Sequence, residues 1–501
     1  MSPILVFSVI AAYFVLLIAI SHFTSRNATN DTFFTGNRQS PWYLVAFGMI
    51  GASLSGVTFI SIPGQVGNND FSYFQVVLGY LLGYAVISYV LMPLYYRLKL
   101  ISIYTFLDER YGIVTYKFGS FIFLISQMMG ASLRLFLAAG VLQIAFFDQF
   151  NVPFSVTVIL TIGLIWLYTY RAGIKTIVWT DTLQTFFMLL ALLITIFIVG
   201  KELGLSGGEL IFAVRESEYS QIFYWEWKES NFFVKQFFAG AFIAICMTGL
   251  DQNMMQKNLT CKNLSDAQKN VTWFSVILIP VNLLFLALGV LLYLYMSRKG
   301  LSDMGNFELV DGVFKNTDDL YPNLAIKHFP PLAGVVFLLG ITAAAFSSAD
   351  SSLTSLTTAF CVDFLDIRNK SEISQKRTRL SVHIGVSIVM AIVIIAFKWL
   401  NDSSVITAVF MIAGYTYGPL LGLFTFGMLS NKRVKDLWVP IILLSPVLTY
   451  IIWSNSVDWF NGYKFGFEII ILNGLITIIL LWLISITQNQ SINSSHVSTK
   501  V

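Results

Sequence analysis

Ala343-Ala344-Ala345-Phe346-Ser347-Ser348-Ala349-Asp350-Ser351-Ser352-Leu353-Thr354-Ser355 lies within an apolar run over residues 331–363. A run of that length crosses roughly 30 Å of hydrocarbon as a helix. At about 100° per residue, Ala344, Ser347, Ser348, Ser351 and Ser355 share one side, with Asp350 at its edge. Hydroxyls and a carboxylate turned to lipid are costly, so this side faces protein, water or an ion. Serines in membrane helices also serve close packing or bond back to carbonyls. An intramembrane carboxylate costs about 2.5–3.5 kcal/mol on insertion scales, and one beside so many serines points to a cation site. Ser hydroxyls, backbone carbonyls and a carboxylate are the hard oxygen ligands that such an ion takes.

The rest of the chain agrees with a membrane setting. Of its 501 residues, 56% are hydrophobic and only 12% charged, with mean hydropathy +0.73. A soluble surface needs about twice that charged fraction. Apolar runs recur near 3–23, 42–63, 72–96, 117–147, 154–170, 176–200, 233–256, 271–296, 331–363, 380–398, 404–429, 437–454 and 467–487, about 13 spans. The fold class expected is therefore an all-α membrane protein forming a single transmembrane domain over 1–490. Residues 489–501, Ser- and Asn-rich, read as a short disordered cytoplasmic tail. The N-terminal run lacks a basic n-region and a small-residue cleavage site, so it reads as a retained helix. With the N-terminus outside, most of the 31 Lys and Arg residues fall on the inner side, densest at Arg368, Lys370, Lys376, Arg377 and Arg379. That arrangement predicts a multi-pass inner-membrane protein with a cytoplasmic C-terminus.

The net charge of +4 gives no footprint for nucleic acid. Cys246, Cys261 and Cys361 show no metal-ligand spacing and read as small core residues, and four scattered histidines make no metal site. No HExxH is present, and the intramembrane aspartates lack a protease-like context, so no enzymatic activity, organic cofactor or obligate protein partner is expected. A sensor would need an output domain that the short tail does not supply.

The spans divide into two five-helix halves, 42–200 and 233–429, with one helix before and two after. The first helix of each half carries a disruption: Gly51, Gly56 and Pro63 in one, Gly249-Leu250-Asp251-Gln252-Asn253 in the other. Interrupted helices at corresponding positions of two halves point to a midplane binding site, and favour a carrier over a channel. Gly51 and Gly56 allow carbonyls to turn from the helix axis, and Pro63 removes a donor. Asp181 is a second acidic residue near a span end, either a helix cap or a partner of Asp350 at one cation or proton site. Arg134 is the one basic residue well inside a span; it is either a structural partner or a fork for a substrate carboxylate. Ser55, Thr58, Tyr73, Gln75 and Gln252 are further lining candidates. Tyr415, Tyr417, Gly418 and Pro419 form a candidate hinge or gate on the last core helix.

These stretches resemble the sodium/solute symporter family, which includes bacterial sialic-acid, proline and galactose carriers and mammalian sodium–glucose cotransporters. The matching segments are Leu54-Ser55-Gly56-Val57-Thr58-Phe59, Leu100 through Gly112, Ala172-Gly173-Ile174-Lys175 leading to Trp179-Thr180-Asp181, Asp251-Gln252 with Gln256-Lys257, and the serine helix. The resemblance implies a leucine-transporter-type core of two inverted five-helix repeats, with sodium-coupled uptake of a small organic solute (sugar, sialic acid, carboxylate or amino acid) by alternating access. It places a principal sodium site on Gly51, Leu54, Ala344, Ser347 and Ser348. It places a second cation site on Asp181, Ser347, Asp350 and Ser351, where Asp350 replaces a serine of the sialic-acid carriers. Proton coupling through Asp350 and Asp181 is the rival reading. Those carriers hold a substrate carboxylate with an arginine near the position of Arg134, but a glutamine they use is Val77 here.

Overall fold

The computed structural model describes residues 3–24, 29–170, 173–301, 307–367, 370–398 and 405–486. Ala172, Arg368 and the tail 489–501 lie outside the described residues.

Among those described, nine helices are long and apolar enough to cross a bilayer, or eleven if each of two bent pairs is one span. The helices follow the apolar runs closely. Pro3–Thr24 comes first. The first half then runs through Trp42–Ser53 with Gly56–Asn69, Tyr73–Arg97, Ile113–Phe150, Phe154–Thr169 and Ile174–Glu202. The second half comprises Phe233–Gly249 with Gln252–Asn258, Leu264–Lys299, Pro331–Phe364, Glu372–Phe397 and Val405–Leu429. Asp436–Ser454 and Ile469–Leu483 close the chain. Phe154–Thr169 and Ile469–Leu483 are only 16 and 15 residues long, shorter than the ~20 that a straight crossing needs.

Ends follow local chemistry. The Asn263 side chain accepts from the Asp266 N–H at the start of Leu264–Lys299, and Gly300 closes that helix at φ +62°. On the outside of the bundle, Phe197, Tyr89 and Ile392 stand exposed, as side chains that meet lipid do. The serine helix Pro331–Phe364 is the opposite case: every residue from Gly340 to Ala359 is buried. Its hydroxyl-rich side therefore faces protein, wrapped by Ile174–Glu202, Ile113–Phe150 and the first bent pair.

Both bends sit at the first helix of a half, 52° in one and 71° in the other. In the first, Leu54 (φ −86°, ψ 71°) and extended Ser55 leave the helix, while Pro63 lies inside the regular segment that follows. Pro63 therefore does not make the break. The Gly418–Pro419 hinge expected on the last core helix also differs, because Val405–Leu429 runs on as a single helix. Pro419 cannot donate to the Tyr415 carbonyl one turn earlier, and Asn473 donates to it instead at 3.0 Å. A Cβ on Gly418 would lie 2.4 Å from Asn473 Cγ, so that glycine serves close approach of Ile469–Leu483.

Candidate cation and solute site

The two breaks treat their freed carbonyls differently. In the second, the Tyr95 hydroxyl donates to Gly249 O (2.9 Å) and the Tyr104 hydroxyl to Leu250 O (2.7 Å). Asp251 caps the next segment by accepting from Met254 N–H at 3.0 Å. In the first, the last helical bond is Leu54 N–H to Ile50 O at 2.8 Å. The carbonyls of Gly51 to Leu54 lie beyond it, with no backbone donor among the described residues. A helix end buried without donors is a place for a ligand that is itself an acceptor's partner, such as a cation.

The serine helix meets that end. Following the bent pair backward, Phe59 lies against Gly340, and Gly56 against Ile341 and Ala345. Gly48 then touches Asp181, whose Oδ1 accepts from Ser347 Oγ at 2.6 Å. Gly51 is pressed on Thr185: its N–H donates to Thr185 Oγ1 at 3.0 Å, and no side chain would fit between them. Ser347 and Gly48 thus meet at Asp181, while Gly51 meets Thr185 one turn further along the same helix. Ser348 Oγ is buried without a hydrogen-bond partner among the described residues. A buried hydroxyl without a partner, like a helix end without donors, fits a dehydrated cation.

The expected second cation site is organised otherwise. Asp181 Oδ2 forms an ion pair with Lys257 Nζ at 2.7 Å, and both side chains are about 98% buried. The Gln184 amide, with its nitrogen toward Asp181, donates to Oδ1 at 3.3 Å. Asp350 accepts from Tyr168 OH at 3.0 Å and from Ser351 Oγ at 3.1 Å, and Ser351 also donates to Ser347 O at 2.8 Å. Asp181 and Asp350 are near neighbours, as expected, but the cation on Asp181 is a lysine of the second bent pair. In the sequence Lys257 stands out only as part of the Gln256-Lys257 motif. A lysine at the end of an apolar run, within two turns of a helix break, is the signal that marks it in the sequence.

A cavity opens between the two breaks. Of the expected lining residues, Ser55, Thr58, Tyr73 and Arg134 border it, together with Tyr84, Asp251 and Asn253. Arg134 makes no ion pair or hydrogen bond among the described residues; Asp251 and Tyr417 are the polar groups that act on it electrostatically. Tyr417 OH donates to Asp251, so this candidate gate residue holds a side chain of the cavity wall. The Tyr415 hydroxyl is buried without a partner among the described residues, and its ring lies 6.5 Å from that of Tyr450. Two candidates do not reach the cavity. Gln75 donates to Ser72 O and Asn231 O and accepts from Tyr224 N–H, which ties down a loop. Gln252 accepts from Ile103 N–H at 2.9 Å and donates to Ile101 O at 2.7 Å. Both amides are engaged with backbone groups away from the cavity. The cavity shares Tyr73 and Phe410, whose rings stack 6.4 Å apart, with a second cavity lined by Gln65, Asp70 and Trp453.

Comparison with known proteins accords with this geometry. The chain is 24% identical to the sodium/sialic acid symporter NanT of Aliivibrio fischeri over 500 residues, covering 97% of this chain and 94% of that one. It is 22% identical to the sodium/sialic acid symporter SiaT of Proteus mirabilis, covering 94% of each. It is 23% identical to the human sodium/iodide cotransporter over 79% of this chain and 61% of that one. The solved structure of a substrate-bound, outward-open sodium-coupled sialic acid symporter superposes with a TM-score of 0.78 at 20% identity, over 96% of this chain and 97% of that one. A nucleobase-cation-symport-1 family transporter follows at 0.56 and 14% identity, over 91% and 95%. The fold is thus of the leucine-transporter type. The model of the sodium:solute symporter family matches residues 33–436, and the chain belongs to that family.

Proposed function

We propose that this protein uses an inward sodium gradient to carry a small organic anion through the membrane by alternating access. The observation that carries this reading is the end of the first break, whose carbonyls from Gly51 to Leu54 have no backbone donor among the described residues, together with the buried Ser348 hydroxyl, also without a partner among them, on the serine helix packed against the same bent pair. Sodium is held there, with Ala344 O and Ser347 completing the set. Its binding joins the first bent pair to the serine helix, and the first bent pair also walls the solute cavity. Loading the ion therefore orders the solute site, which is how two cargoes become coupled.

Arg134 is the solute's anchor in this reading, with Ser55, Thr58 and Tyr73 beside it. A guanidinium that has no ion pair and borders a cavity offers a fork to a carboxylate. Names of the relatives above, which include sialic acid and iodide, support an anion. Asp251 across the cavity gives room for a substrate that also carries a donor, such as an amino sugar or amino acid. The helices amount to thirteen spans in this reading, set in the cell inner membrane with the N-terminus outside and the C-terminus in the cytoplasm.

The test is uptake by proteoliposomes, after a thermal-shift screen of sialic acids, monocarboxylates, amino acids and sugars with and without sodium. A solute that stabilises only with sodium, and enters only down a sodium gradient, is expected. Uptake driven by a pH gradient alone would replace sodium by a proton on Asp350 or Asp181.

A further inference from the structure

We propose that Lys257 is a built-in cation that takes the place of a second sodium, so that this carrier binds one sodium ion per cycle. The inference rests on the sodium reading above and goes beyond it by fixing the ion count from Asp181.

Both oxygens of Asp181 are engaged. Lys257 Nζ lies 2.7 Å from Oδ2, and Ser347 Oγ donates to Oδ1 from 2.6 Å. Gln184 supplies a further donor to Oδ1. The side chains of the pair are only 2% and 1% exposed, so water does not screen it. Two positive charges within a few ångströms of each other repel strongly in such a medium. A mobile cation therefore cannot join Lys257 on this carboxylate without displacing it. Displacement would leave a buried ammonium unpaired, because Asp181 is its only ion-pair partner among the described residues.

The position of Lys257 makes it more than a neutralising charge. It stands on Gln252–Asn258, the short arm beyond the second break. Asp181 stands on Ile174–Glu202, against which Gly48 of the first bent pair is packed. Ser347 brings in the serine helix. The lysine thus cross-links, permanently, three elements that an ion would otherwise link only when bound. Asp350 holds Tyr168 and Ser351 and acts electrostatically on both Asp181 and Lys257, without an ion pair of its own to Lys257 among the described residues.

The experiment is equilibrium binding of radioactive sodium to the purified full-length protein in detergent. One ion per wild-type chain with a Hill coefficient of one is expected, and Ser348→Ala should weaken it. Lys257→Met, which frees Asp181, should bind a second ion, with the Hill coefficient rising above one. Asp181→Asn added to Lys257→Met should return the count to one, and Lys257→Arg should keep it at one throughout. Two ions on the wild-type chain would overturn the proposal and put the second on Asp350, whether or not Lys257→Met folds. A folded Lys257→Met that still binds one ion would also overturn it. No sodium binding by the wild-type chain would instead sink the sodium-coupled reading itself.

Discussion

Gly51→Ala is a stringent perturbation of the proposed ion site, because it adds one methyl group and no charge. The added Cβ would sit 2.1 Å from Thr185 Oγ1, 3.1 Å from Thr185 Cβ and 3.2 Å from Thr185 Cα. Ordinary contact would require the first bent pair and Ile174–Glu202 to part by about an ångström, and such overpacking costs about 1–3 kcal/mol. The hydrogen bond from Gly51 N–H to Thr185 Oγ1, 3.0 Å long, is lost with it, worth about 1 kcal/mol. The expected destabilisation is therefore about 2–4 kcal/mol. The same displacement moves the Gly51 and Leu54 carbonyls away from Ser348, so sodium affinity should fall by about tenfold or more, roughly 1.4 kcal/mol. Thermal unfolding in detergent across a sodium titration reads both quantities. Thr185→Ala removes the closest atom and leaves contacts of 3.1 and 3.2 Å. In the Gly51→Ala background it should therefore recover much of the stability, a non-additive pair. Unchanged stability and sodium dependence in Gly51→Ala alone would refute the idea that this contact sets the ion site.

Ser348→Ala removes a hydroxyl without a hydrogen-bond partner among the described residues, so stability without sodium should hold while the sodium concentration for half-maximal uptake rises several-fold. Arg134→Gln should raise the solute KM at least tenfold and leave sodium-induced stabilisation intact; equal KM values would remove Arg134 from the solute site. Tyr104→Phe orphans the Leu250 carbonyl, costing about 1–3 kcal/mol. Its unfolding temperature should drop with sodium present or absent, because that carbonyl belongs to the capped break.

Much of this protein is legible in one dimension. Apolar runs long enough to cross hydrocarbon located the helices to within a few residues at most ends, because a lipid-facing backbone must satisfy itself locally. The breaks at Leu54–Ser55 and Leu250–Asp251 fall in the stretches singled out by glycine and polar clusters. Gln75 and Gln252 misled, since a buried amide in a polar cluster reads the same whether it faces a solute or a loop backbone. Pro419 misled for a related reason: the acceptor it frees is matched by Asn473, which lies 54 positions later on another helix.

What residue order alone determined was the membrane setting, the helix sequence, the two interruptions and the polar stripe from Ala344 to Ser355. These depend on hydropathy and backbone chemistry within a few turns. Which charge meets which was decided only by the fold. Asp181 and Lys257 are far apart along the chain but 2.7 Å apart in space. An ion pair is a property of distance and burial, and neither is encoded in the spacing of two residues on different helices.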